Sequence, residues 1–144
     1  MSASSVTPSL LEVSVSEDGQ VHAVAGELCL STVELLREPL FESIVSRSDS
    51  IVVDLTRCTF IDSSGLEVLA RASWRLGADR GRELVVVSPR GPVRRILDLT
   101  GMDHILTVLD SRDQAPRPPA ARTRARGRSR RATTAARRAH SLAQ

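Results

Sequence analysis

Aromatic residues are almost missing from this 144-residue chain: Phe41, Phe60 and Trp74 are the whole set, with no tyrosine. A core built from it must be aliphatic, drawn from Leu, Val, Ile and Ala within an ordinary 41% hydrophobic content. Stacking platforms for single-stranded nucleic acid are nearly absent for the same reason. Lysine is absent as well. All 20 basic residues are arginine, which is read first as compositional bias. Cys29 and Cys58 form no CxxC pair and His22, His104 and His140 are scattered, so no zinc-ligand spacing exists and no metal or cofactor is expected. The longest apolar runs, such as Leu84–Val87, are too short to span a bilayer. The opening MSASSVTPSL has neither the basic start nor the apolar stretch of a signal peptide. These absences predict a cytoplasmic protein whose two isolated thiols act as small buried hydrophobes.

What is present is unevenly charged. Residues 1–113 hold 17 acidic groups against 11 arginines, a balance of −6, and residues 114–144 hold nine arginines and no acid, so the overall +3 conceals two opposite parts. The sequence divides accordingly into a leader over 1–8, one domain over 9–113 and an Arg/Ala/Pro-rich tail over 114–144. That tail has almost nothing to bury against its ordering entropy and is expected to be disordered on its own.

Within the domain, "LLEVSVSEDGQVHAVAGEL" alternates apolar and polar residues about Asp18-Gly19, the signature of a hairpin. Ser31 or Thr32 can cap a helix running toward Ser46, with Glu34 three residues after Ser31 as a capping box requires. Pro39 lies inside that helix and is expected to kink it or end its first half. "SIVVDL" at 50–55 has the continuous, β-branched character of a strand covered on both faces. Residues 65–80 come next as a helix, with Leu66, Leu69, Ala70 and Ser73 on one face and Glu67, Arg71, Arg75 and Asp79 opposite; Gly81 is placed to end it. "ELVVVS" at 83–88 is a further strand, Pro92 opens a short helix to about Leu99 that Gly101 stops, and "HILTVL" at 104–109 closes the set. The order β-β-α-β-α-β-α-β predicts a single α/β domain: a mostly aliphatic mixed sheet packed with helices.

"FIDSSGLEVL" at 60–69 is where chemistry is to be sought, because two serines succeed an aspartate at a strand-to-helix junction. A nucleophile is one reading. It resembles the elbow of α/β hydrolases, but I-D-S-S-G lacks the first glycine of G-x-S-x-G, and no histidine is arranged as a base, so no enzyme is expected. A helix cap is the second reading: Ser64-Gly65-Leu66-Glu67 fits S-x-x-E. It accounts for Ser64 and leaves Ser63 outside the helix, facing solvent. A phosphate acceptor is the third, since a phosphoryl group adds roughly −1.5 to −2 charges and a helix N-terminus tolerates an anion.

The stretch "IVVDLTRCTFIDSSGLEVLARA", the downstream "GRELVVVSPRGPVRRILDLTGMDHIL" and the upstream "GEL" at 26–28 resemble the STAS domain of bacterial anti-sigma factor antagonists over about residues 8–111. The resemblance implies that Ser63 is a phosphorylation site, set among Asp62, Ser64 and Gly65. It also implies an anti-sigma factor that is a serine kinase using ATP, and a serine phosphatase that resets the switch. Three positions depart from that family's pattern. Cys29 stands where an aspartate comes after GEL, Glu67 stands where a small residue is common, and Pro39 interrupts the first helix.

The partner surface is expected to centre on Ser63 and Leu66 and on the adjoining helix near Glu67 and Arg71, because a phosphate regulates only a surface it touches. Trp74 is expected to pack beside Ala70. The alternative function is a non-phosphorylated STAS scaffold or transporter-associated regulatory subunit. Contact of the arginine tail with nucleic acid or an acidic membrane surface is conceivable from its charge but not favoured, and nothing in it specifies sequence readout.

Overall fold

The computed structural model describes residues 10–47, 49–78 and 81–116; the leader and most of the tail lie outside the described residues. A five-stranded sheet runs in the order β1-β2-β3-β4-β5, from Leu11–Val15 and Val21–Leu28 through Ile51–Ile61 and Leu84–Val87 to Thr107–Leu109. β1 and β2 form the antiparallel hairpin, turning at Gly19 with φ +76°, and the remaining neighbours are parallel. The sheet is therefore mixed, as expected. Three helices connect it: α1 (Glu34–Ser46), α2 (Ser63–Gly77) and α3 (Pro92–Leu99). Pro92 opens α3 at a position where its missing N–H costs nothing, and Gly101 at φ +79° turns the chain after it.

All three helices pack on one sheet face. Leu36, Leu40 and Ile44 of α1, Val68, Leu69, Ala72 and Leu76 of α2, and Val93 and Leu97 of α3 join Val24, Leu28, Val53 and Val86 in one aliphatic core. The opposite face carries a smaller cluster, Val52, Val85 and Val87, closed by Ala115 after the last strand. Packing thus continues past Asp113, where Ser111 and Gln114 form a capping box around a single 3₁₀ turn.

Several local expectations are corrected. β3 does not stop at Leu55 but continues to Ile61, because Ala25–Leu28 pair with Arg57–Ile61, with one register slip just before Ala25 and a second between Gly26 and Glu27. One slip falls at Gly26, φ +109°, where a Cβ would lie 2.1 Å from the Leu10 carbonyl oxygen. The last strand is only Thr107–Leu109: Met102–His104 form a 3₁₀ turn, since burying Met102 and Leu106 pulls the chain inward there.

The capping box of Ser31 with Glu34 does not form. Thr32 Oγ1 instead donates to the Glu27 carbonyl at 2.7 Å and accepts from the Cys29 amide at 3.0 Å, closing the β2–α1 turn, while Glu34 pairs with Arg37. α1 also does not end at Pro39 but continues through it to Ser46. Interior proline costs about 3 kcal/mol, and the buried row Leu36, Leu40 and Ile44 offsets it.

α2 starts two residues early and ends at Gly77, so Gly81, φ +78°, is a turn beyond it and not its cap. Its buried stripe is Gly65, Val68, Leu69, Ala72 and Leu76; Leu66 and Ala70 are half-buried on the flank, and Ser73 donates to the Ile105 carbonyl. Trp74 does not pack beside Ala70, being 80% exposed.

Candidate functional site

The C-terminal end of β3 delivers the Asp-Ser-Ser-Gly element to the edge of the sheet. Asp62 is the N-cap of α2, with extended backbone and a carboxylate that accepts from the Ser64 amide at 2.9 Å and the Gly65 amide at 3.3 Å. This corrects the expectation that Ser64 caps the helix through a box with Glu67. Aspartate is as good an N-cap as serine, and the helix begins two residues earlier. Glu67 turns away along the surface and pairs with Arg71 at 3.1 Å, as i,i+4 spacing allows.

Ser63 is consequently the first residue of α2, not a residue outside it. It is exposed, and among the described residues its hydroxyl has no hydrogen-bond partner. The amides that usually make a helix N-terminus hospitable to an anion, those of Ser64 and Gly65, are already held by Asp62. Ser63 thus lies exposed directly after the carboxylate that holds those amides.

Gly65 has a packing role. A Cβ there would fall 2.7 Å from Ile61 Cγ1 and 2.9 Å from Leu28 Cγ. The helix N-terminus lies so close to the ends of β2 and β3 that no side chain fits. That closeness fixes where Ser63 sits.

A second loop borders the site, and sequence reasoning missed it. The second oxygen of Asp62 accepts from the Leu30 amide at 3.2 Å, and the Asp62 amide donates to the Leu28 carbonyl at 3.1 Å. Leu30 itself is 76% exposed, and Phe60 is exposed on β3 two residues before the cap. No local pattern marks Leu30, because its role depends on a partner far away in sequence. Its neighbour Cys29 is half-exposed, not buried as expected. Its thiol lies 3.4 Å from Ser31 Oγ and 3.6 Å from Thr32 Oγ1, and hydrogen bonding to Ser31, then Thr32, holds its pKa below the ordinary thiol value. Cys58 is the buried hydrophobe expected, and burial pushes its thiol up.

Down α2 from Ser63, residues Glu67, Arg71 and Trp74 recur at helical spacing and are all exposed. The stripe extends about 16 Å at 1.5 Å per residue. Leu66 lies on its flank and is partly packed on the core. Of the residues singled out in the sequence, Asp62, Ser63, Ser64, Gly65, Leu66, Glu67 and Arg71 all fall on the cap and first turns of this one helix.

The two histidines among the described residues are elsewhere. His22 is fully buried under α1, with Nε2 3.2 Å from Ser43 Oγ and 3.3 Å from the Pro39 carbonyl, and His104 is exposed beside Asp103. Among the described residues no group of three His, Cys, Asp or Glu side chains is arranged to hold a metal ion, and no helix is long and apolar enough to cross a membrane.

A mixed sheet with helices on one face and a serine-bearing helix N-terminus at the end of its central strand defines a class of small α/β domain. The chain belongs to the STAS domain family, whose model matches residues 12–115. It is 34% identical over 89 residues, 61% of this chain and 75% of the relative, to the anti-sigma F factor antagonist of Paenibacillus polymyxa. It is 30% identical over 106 residues, 72% of this chain and 85% of the relative, to the anti-sigma-F factor antagonist RsfB of Mycobacterium tuberculosis. Among solved structures, an anti-sigma factor antagonist from Mycobacterium paratuberculosis superposes with a TM-score of 0.64 at 27% identity, covering 74% of this chain and 92% of that one.

Proposed function

We propose that this protein is an anti-sigma factor antagonist that binds an anti-sigma factor serine kinase through the Ser63 end of α2 and is released when Ser63 is phosphorylated. A serine phosphatase then restores the binding form. The observation that carries this reading is the state of the Ser63 hydroxyl: exposed, unbonded and at the first position of α2. The kinase binds ATP; the serine oxygen bonds to the γ-phosphorus as the bond from that phosphorus to ADP breaks, ADP leaves, and the serine proton is released to solvent.

The electrostatics explain why such a modification changes binding and leaves the fold alone. With the Ser64 and Gly65 amides occupied by Asp62, the new charge of roughly −1.5 to −2 is not absorbed by the helix terminus. It faces outward next to the Asp62 carboxylate. A partner that seats on this end of α2 when Ser63 is neutral then meets a strongly hydrated anion, and the complex separates.

Mapping phosphorylation on the protein isolated from growing and stressed cells tests the reading, together with Ser63→Ala and Ser63→Asp variants. We expect Ser63 occupancy to change with conditions. Ser63→Ala retains binding to the anti-sigma factor and cannot be released, and Ser63→Asp binds more weakly than wild type. Cys29, standing where the family has an aspartate, favours a second reading as a scaffold or transporter-associated subunit with no serine chemistry. In that case Ser63 is unmodified under every condition and neither variant alters binding.

A further inference from the structure

The sheet face away from the helices is only partly covered. Residues 110–116 turn back across it after β5, and Ala115 is buried against Val52, Val85 and Val87. Beside this crossing lies a groove of 440 Å³ floored in part by Ala23 and Ala25 of β2, both half-buried. Carboxylates border it: Glu12 on β1, Asp54 on β3, and Asp110 and Asp113 on the returning segment. Two arginines, Arg57 and Arg112, oppose them.

These charges are not equally available. Arg94 holds Asp110 at 2.7 Å, and Arg112 reaches Asp54 at 3.7 Å. Glu12 and Asp113 have no ion pair among the described residues, so two open carboxylates face the one guanidinium of Arg57. The floor is shallow and small-residue, and the rim retains a surplus of negative charge.

The chain borders this groove from Asp110 to Asp113, and residues 117–144, which follow closely, hold nine arginines, no acid, and many alanines between them. We propose that this segment docks in cis into the groove, alanines over Ala23 and Ala25 and guanidinium groups on Glu12 and Asp113. Three observations converge on this occupant. Arg112, five residues before Arg117, already places an arginine of the same stretch on a carboxylate of this face. Ala115 already places an alanine on the apolar strip of Val52, Val85 and Val87 on the same sheet face. The remaining length spans up to about 90 Å when extended, far more than crossing the sheet requires.

Exposed ion pairs are individually weak. Docking in cis needs little intrinsic affinity, because a short tether holds the segment at an effective concentration in the millimolar range. A docked tail is less open to a polyanion, so the groove acts as an internal competitor for whatever the arginines otherwise meet. This inference concerns the face away from Ser63 and stands apart from the phosphorylation switch.

Limited trypsin digestion of the full chain tests it, since the tail arginines are trypsin sites. At low salt we expect the tail of the wild-type chain to be cut several-fold more slowly than that of a Glu12→Gln, Asp113→Asn double variant, which removes both open carboxylates and adds no trypsin site. Both replaced residues are exposed, and circular dichroism of the variant is the check that the fold is kept. At high salt the two proteins are expected to converge as screening removes the attraction. Equal rates at low salt overturn the proposal. Protection that disappears on dilution also overturns it, because the tail then lies in the groove of a second molecule. A measurement on the wild type alone guards against variant effects: raising the salt shifts the amide resonances of Ala23, Ala25 and Thr56 while those of α1 stay in place. Unmoved groove resonances overturn the docking.

Discussion

Asp62 and Leu30 are 32 positions apart and joined by one hydrogen bond, from the Leu30 amide to Asp62 Oδ2 at 3.2 Å. The other oxygen of the same carboxylate caps α2 through the Ser64 and Gly65 amides. One side chain thus fixes both the helix that presents Ser63 and the loop that borders it.

Replacing this carboxylate separates its two roles. Asp62→Ala removes cap and tether together and is expected to cost about 1–2 kcal/mol in urea unfolding. Asp62→Asn keeps an acceptor for the helix amides, because asparagine caps as well as aspartate does, but its NH₂ cannot accept from Leu30. Faster hydrogen exchange at the Leu30 amide with near-wild-type stability is the expected result. Equal stability losses in the two variants contradict this division.

Gly65→Ala tests the close approach that positions Ser63. The added methyl meets Ile61 and Leu28 at 2.7–2.9 Å, and overpacking of this kind costs about 1–3 kcal/mol. An exposed helix glycine gains stability from the same change. The unfolding midpoint in urea distinguishes the two by sign.

His22 makes stability depend on pH. The Pro39 carbonyl can only accept, so its contact with Nε2 puts the proton there and leaves Nδ1 buried without a partner among the described residues. Burial lowers the pKa of the ring below its ordinary value, and Arg47 adds repulsion. Unfolded His22 takes up its proton near 6.5. Below that pH the unfolded state binds more protons than the folded one, so stability falls as pH drops through about 6.5 toward the folded pKa. Urea midpoints between pH 8 and 5 are expected to show the decline in wild type and not in His22→Gln. A flat wild-type profile is the result that defeats this account.

Trp74, 80% exposed, reports on the stripe it shares with Ser63. Its fluorescence is expected to be that of a hydrated indole, readily quenched by acrylamide, and to shift blue when a partner covers this face. Arg71→Glu places like charges at Glu67 and 71 and is expected to alter stability by no more than about 0.5 kcal/mol. A clear loss of partner affinity in that variant then locates the interface. Unchanged fluorescence and affinity in the complex place the partner on another face.

Element order and the aliphatic core were legible in the sequence, because both arise from short-range patterns: β-branched runs, the Asp-Gly turn, and Pro92 at the start of α3. So was the placing of the Asp-Ser-Ser-Gly element at a strand-to-helix junction. Tertiary structure decided the rest. Pairing with β2 lengthened β3 beyond its apolar run, and the pocket made by Ile61 and Leu28 against Gly65 set the rotation of α2. Asp62 took the cap expected of Ser64 because that carboxylate also had Leu30 to hold. Trp74 was left in water, and Cys29 half-exposed, by the same rotation and by the turn that Thr32 closes. Periodicity and turn chemistry act over a few residues and can be read along a line. Which of two adjacent polar side chains caps a helix, and which face that helix buries, depends on atoms thirty or more residues away, and only the folded chain brings those together.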